Sequence, residues 1–309
     1  MTPLLATSWG EEMAPMAILA IFLAVSAGLW TGICARWRRG APIIPLARRR
    51  PVPWQAQDVL FLFLIGLLLL IMAAKIVEAW MGPDAAQQAA DQKPELAHPT
   101  EQLLGSRNPG MIAVAITMAV IVAPLFEEFF FRVLLQGWLE AVWSRRRRRH
   151  PGLRATPVSW IPVVLPAVIF ALVHLRFAEI PRSLRYLTGI FLGQMAGDLM
   201  TLGLAIVLLR YAVGARAADL GWRPETLRHD ASLGLLALLA AVPPVLAIHV
   251  VSTVVVKKMG INFALDPIPL FFLALVLGAL YRRTHRIAPS LVLHMAFNAT
   301  SIALYFLGP

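Results

Sequence analysis

The sequence has one cysteine, Cys34, in 309 residues, so no disulfide can form within the chain. Charge is scarce too. Only 15% of residues are Asp, Glu, Lys or Arg, and 59% are hydrophobic. Soluble domains carry about 25% charged residues, and the mean hydropathy here is +0.70. Acidic side chains are the scarcest, 17 against 28 basic ones, for a net charge of +11. Short segments of alternating hydrophobicity are lacking, which excludes a porin-like barrel. H-E-x-x-H is also missing, so a zincin site is unsupported. The first apolar run has no basic segment ahead of it and no small-residue cleavage site, and it reads as a retained helix.

Long apolar runs are what the chain does have. Several reach the roughly 20 residues that a helix needs to cross a bilayer. Eight spans are predicted, at about 14–34, 57–80, 110–131, 157–176, 186–212, 231–256, 267–281 and 287–307. The expected fold is an all-α, polytopic helical membrane protein. Residues 1–109 would hold the first helices and a polar, mildly acidic outer loop, and 110–309 a second membrane unit. The basic residues come in blocks, around Arg36 to Arg50, Arg145 to Arg149, Arg216 to Arg228 and Arg282 to Arg286. Each block abuts a span. That is the positive-inside pattern, not a nucleic-acid surface. It places 35–56, 140–156, 213–230 and 282–286 in the cytoplasm, and 81–109 with both termini outside. Trp54, Trp80, Trp138, Trp143 and Trp160 fit interfacial belts.

Glu127 and Glu128 interrupt this pattern. They sit with Arg132 inside MIAVAITMAVIVAPLFEEFFFRVLLQGW. An ionisable group at membrane depth costs roughly 2.5–3.5 kcal/mol, so three within six positions point to use. On a helix, Glu128 and Arg132 are i,i+4 neighbours and can pair. Glu127 is rotated by about 100° from Glu128 and is left to face a cavity, where it could act as a general base on water. A buried ion-pair staple without chemistry is the plain alternative. Pro124, three residues earlier, is expected to kink the helix. Two further motifs are Phe170-Ala-Leu-Val-His174 and His294-Met-Ala-Phe-Asn298. The second puts an imidazole and an amide on one helix face, which helix–helix hydrogen bonding alone would also explain. Two carboxylates, two histidines and an asparagine on three spans match a hydrolytic site. One Glu would activate water, and the His and Asn residues would bind a metal or hold an oxyanion. Asp198, His249 and Lys75 read as structural or snorkelling residues.

These three motifs, in this order, resemble the signature of the type II CAAX prenyl endopeptidases and their bacterial relatives, the CPBP or lysostaphin-resistance-protein-A-like intramembrane proteases. The stretch from Gly278 through His285 to His294 is similar as well. The resemblance implies an intramembrane endopeptidase in which Glu127 activates water, supported by Glu128 and Arg132. His174 and His294 would be metal ligands, with Glu127, or oxyanion stabilisers, and Asn298 the oxyanion partner. Zn2+ or another divalent metal is implied, with a metal-free glutamate mechanism as the alternative. The implied partners are the lipid bilayer and a membrane-anchored peptide or protein, CAAX-type or bacteriocin-related, and the implied location is a bacterial plasma membrane. Two features depart from the family. Val133 stands where a Gly often follows the motif Arg, and 119 residues separate His174 from His294. Residues of about 181–266 therefore read as an insertion, within which 218–235 resembles a part that in relatives precedes the first motif. A non-catalytic immunity or binding protein and a transporter are the rival classes. A transporter's inverted repeats are not visible.

Overall fold

The computed structural model describes residues 6–47, 51–82, 99–149, 159–175, 183–258 and 267–307, with side chains described from Ala20 onward except at 256 and 257. Most of the expected outer loop, with Asp84, Asp91 and Glu95, lies outside the described residues, as do Arg48 to Arg50, Arg176 and Arg182. Among the described residues all regular structure is helical. The helices are α1 (Ala6–Arg38), α2 (Ala56–Met81), α3 (Pro99–Leu104), α4 (Pro109–Arg149), α5 (Ile161–Val173), α6 (Leu184–Tyr211), α7 (Leu227–Lys258), α8 (Pro267–Thr284) and α9 (Ile287–Leu307). Seven of them are long and apolar enough to cross a membrane.

The predicted span 157–176 differs from expectation. Its helix, α5, has 13 residues and is about 20 Å long, short of the roughly 30 Å hydrocarbon core. It starts at the basic end of the bundle, where Arg282 lies over the Trp160 ring at 4.7 Å, and stops at His174. The other basic segments gather at the same end. Ala47 donates its N–H to the Arg283 carbonyl, Ile287 donates to Gly221, and Arg286 pairs with Asp230 at 2.7 Å. The opposite end carries α3, whose Glu101 carbonyl accepts from the Tyr305 hydroxyl near the end of α9.

In hydrocarbon each backbone polar group must find its partner within the protein. The prolines make this demand local. Pro244 in α7 has no N–H for the Ala240 carbonyl, and the Trp30 indole donates to that carbonyl at 3.0 Å, which docks α1 on α7. In α4 the Ala123 N–H reaches back to Met118, an i→i+5 step within a π-helical turn at Thr117–Val122. Continued in that register, the next residue would serve the Ala119 carbonyl, but it is Pro124. Asn298 Nδ2 from α9 donates there instead, at 2.7 Å. The π-turn thus stands where Pro124 was expected to impose a kink. Trp54, expected at an interface, is fully buried and donates to the Leu134 carbonyl in a second π-turn, Phe129–Gln136.

Helices α2 and α6 meet along a stripe of glycines. Gly189, Gly193 and Gly197 recur every fourth residue on α6, facing Met81, Val77, Ala73 and Leu70. Small residues at this spacing let helix backbones approach closely in lipid. A Cβ at Gly197 would stand 3.2 Å from Leu70 Cα, where no side chain can swing away. Gly197→Leu is therefore expected to cost about 1–3 kcal/mol, read as a lower thermal midpoint of the purified protein; an unchanged midpoint contradicts the close packing. Asn298→Ala, which leaves the Ala119 carbonyl without its donor, is expected to cost about 1–3 kcal/mol in the same assay. Full retention of stability would mean that this carbonyl finds another partner.

Candidate active site

Four helices build the site. α4 carries Glu127, Glu128 and Arg132, α5 ends at His174, and α9 carries His294 and Asn298. α8 closes the back, where Gly278 lets it pass Gln136 and Arg132. A Cβ at Gly278 would meet Val163 at 2.9 Å, Gln136 Oε1 at 3.1 Å and Arg132 Nη1 at 3.4 Å. His294 lies seven residues into the 21-residue α9, about 10 Å from its basic end and so within the apolar slab.

The two adjacent carboxylates have different surroundings. Glu128 is fully buried. Its Oε2 faces Arg132 Nε at 3.5 Å, and its Oε1 faces His294 Nδ1 at 3.2 Å. Arg132 is fully buried as well, with its guanidinium 5.9 Å from the Phe170 ring centre. Glu127 keeps 20% of its side chain exposed. Its Oε1 lies 3.8 Å from His174 Nε2 and its Oε2 lies 3.7 Å from His294 Nε2. Each oxygen thus faces one imidazole.

Hydrogen bonding sets how these rings are turned. His174 Nδ1 lies 2.7 Å from the Phe170 carbonyl, which can only accept, so Nδ1 carries the hydrogen. The carboxylate of Glu128 imposes the same on His294 Nδ1. In the neutral form both rings then turn a bare Nε2 toward Glu127. Phe170 packs between the rings, 4.5 Å from His174 and 5.9 Å from His294 by ring centres.

Glu127, His174, His294 and Asn298 all line one cavity of about 660 Å³. It runs to Glu101 and Tyr305 at the end opposite the basic one. Its walls are largely apolar, with Met118, Phe191, Leu270 and Phe297 among them. Glu128 and Arg132 sit behind the wall. Residues 181–266 contribute Phe191 and Gln194 from α6 and Val245, Leu246 and His249 from α7. His249, read as structural in the sequence, lines the cavity. Asp198 is 6% exposed, one helical turn behind Gln194. The sequence reading stopped the polar face of α4 at Arg132. Gln136, fully buried, donates to the Gly278 carbonyl at 2.8 Å and to Glu140 at 3.0 Å. The i,i+4 series Glu128, Arg132, Gln136, Glu140 was the signal that could have found it.

The donor types suit a divalent metal. Ligand histidines usually give their other N–H to a carboxylate or backbone carbonyl, as both do here. Tetrahedral zinc at ~2.0–2.1 Å sets ligand edges of about 3.3–3.4 Å, slightly shorter than the 3.7 and 3.8 Å here. As placed, no group of three or more His, Cys, Asp or Glu among the described residues is close enough to hold an ion. Glu127 would have to draw a few tenths of an ångström toward both rings.

The model of one protein family, type II CAAX prenyl endopeptidase Rce1-like, matches residues 109–300, more than half of the chain. The matched stretch contains all three motifs and runs through 181–266. No curated protein and no solved structure matches the chain. With its apolar spanning helices, the match makes the protein an integral, multi-pass membrane peptidase of the intramembrane endopeptidase kind. The chain belongs to the Rce1-like family of type II CAAX prenyl endopeptidases.

Proposed function

We propose that the protein hydrolyses peptide bonds of membrane-anchored substrates, CAAX-type or bacteriocin-related, in a bacterial plasma membrane, with Glu127 as the base that activates water. One observation carries this reading. Of the adjacent pair, Glu127 faces the cavity and has each of its oxygens opposite the Nε2 of a different histidine, while Glu128 is buried and paired. Glu127 takes a proton from water, and the water oxygen bonds to the scissile carbonyl carbon. With Nε2 protonated, His174 and His294 donate to the negative charge that develops on the carbonyl oxygen. The C–N bond then breaks, and Glu127 returns its proton to the leaving amine. Glu128 and Arg132 hold His294 in register and do not touch the substrate. Asn298 uses one amide hydrogen on the Ala119 carbonyl and keeps the other for the cavity that it lines. The apolar walls suit a substrate that arrives from the lipid.

His174 and His294, with Glu127, would hold a divalent metal such as zinc. When bound, such an ion supplies Lewis acidity to the carbonyl and makes water more acidic.

Glu127→Gln keeps the shape of the side chain but removes the base. In liposomes carrying a membrane-anchored reporter peptide, cleavage is expected to fall by about 10²–10⁴-fold; cleavage at the wild-type rate rules Glu127 out as the base. For the metal, elemental analysis of purified protein is expected to find a divalent ion in the wild type and none in His174→Ala. Wild-type protein that cleaves the reporter after exhaustive chelation, with no metal detected, contradicts the metal assignment.

A further inference from the structure

A second, smaller cavity of about 160 Å³ lies at the basic end of the bundle. It sits between the C-terminal end of α4, the start of α5 and the end of α8. Trp143, Ser144, Arg147, Ser159, Arg282 and His285 line it. Its position follows from the sequence: α4 and α8 both end in arginines, and α5 begins beside them.

The cavity is rich in donors. Trp143 Nε1 and Arg282 Nη1 are buried and have no acceptor among the described residues. Leaving such donors dry is costly, so each calls for a ligand atom. The Ser159 oxygen accepts from the Ile161 N–H at 3.2 Å, which leaves its hydroxyl proton free to donate. α5 has 13 residues and points its N-terminus here; its first N–H groups already bond Ser159 and Trp160, so what it adds is the positive end of the helix dipole. Trp160 braces the Arg282 guanidinium from one side. Glu140 is the one carboxylate among the lining residues. It lies 3.4 Å from His285 Nδ1 and accepts from Gln136 Nε2 at 3.0 Å, and its charge offsets part of that of Arg282.

We infer that this cavity is a binding site for a phosphate anion, either the headgroup of an anionic phospholipid or free phosphate. Arg282 and Arg147 supply the charge, and Trp143 and Ser159 add directed hydrogen bonds. Guanidinium groups suit phosphate oxygens in charge and geometry. The site lies where a positive-inside protein meets the headgroups of the cytoplasmic leaflet, and basic pockets between spanning helices there take such lipids. From Glu140, which lines it, α4 leads back through Gln136 to Arg132, just over two turns away. It shares no lining residue with the larger cavity.

The full chain in neutral detergent would be titrated with short-chain phosphatidylglycerol, with short-chain phosphatidylcholine and with inorganic phosphate. The readout is the thermal midpoint. A saturable rise with phosphatidylglycerol is expected, with half-saturation about tenfold weaker in Arg282→Gln. Trp143→Phe keeps the ring, removes the N–H and is expected to weaken binding in the same direction; it serves if Arg282→Gln fails to fold. A response to phosphatidylglycerol alone assigns the site to a lipid headgroup, and an equal response to inorganic phosphate assigns it to the free anion. No saturable response to either probe, or responses unchanged in the folded variants, overturns the inference.

Discussion

The structure turns on one requirement: the carboxylate of Glu128, sealed in an apolar bundle, must be compensated. Arg132 one turn below and His294 from α9 do this together. Removing either partner would leave a charge without its counterpart, and breaking buried pairs costs about 3–5 kcal/mol. The arrangement reaches beyond stability. Because Glu128 holds the Nδ1 side of His294, the Nε2 side is turned toward Glu127 and the cavity. A charge that looks like a burden in lipid becomes the part that sets the geometry of its neighbour.

The backbone makes a second contribution. A π-turn ahead of Pro124 and another after Glu128 mean that α4 is not a uniform α-helix where it carries the carboxylates. π-turns are uncommon and concentrate at functional sites. Here the proline leaves a carbonyl to which Asn298 donates, so the element that places Glu127 is tied to the helix that carries His294. The site is thus held at two levels, by side-chain charge and by a side chain replacing a missing backbone donor. α5 adds the third side by being short, since it ends at the depth where its last residue is needed.

Much of this was legible in the sequence, and particular residues explain where legibility ended. Glu127, Glu128, Arg132, His174, His294 and Asn298 stood out because polar groups in apolar runs are conspicuous, and the structure brings them together. Apolar runs also located the spanning helices, but α5 was overestimated because its apolar composition continues past its helical ends. The π-turns were not legible: Pro124 announces a missing hydrogen bond but not whether the helix kinks or widens. Trp54 was assigned to an interface by residue type, which is blind to the Leu134 carbonyl waiting above it. The glycine repeat Gly189, Gly193, Gly197 was visible, yet its partner helix α2 lies more than a hundred positions away. The cavity walls from α6 and α7 are tertiary facts, and without them His249 and Gln194 look like any polar residue in a span.

Above all, α4 and α9 bring Glu127 and His294 face to face inside the bilayer. The single native cysteine makes this directly measurable. Glu127 and His294 meet through the tips of long side chains, so two cysteines there need a bridge rather than a direct disulfide. In a Cys34→Ser background, Glu127→Cys combined with His294→Cys would be treated in native membranes with a short thiol-to-thiol crosslinker and examined by mass spectrometry. An intrachain crosslink between the two introduced thiols is the expected result, with none formed when Glu127→Cys is combined with Leu304→Cys at the far end of α9. Two thiols that react singly and are never bridged, in protein that is folded and inserted, would contradict it.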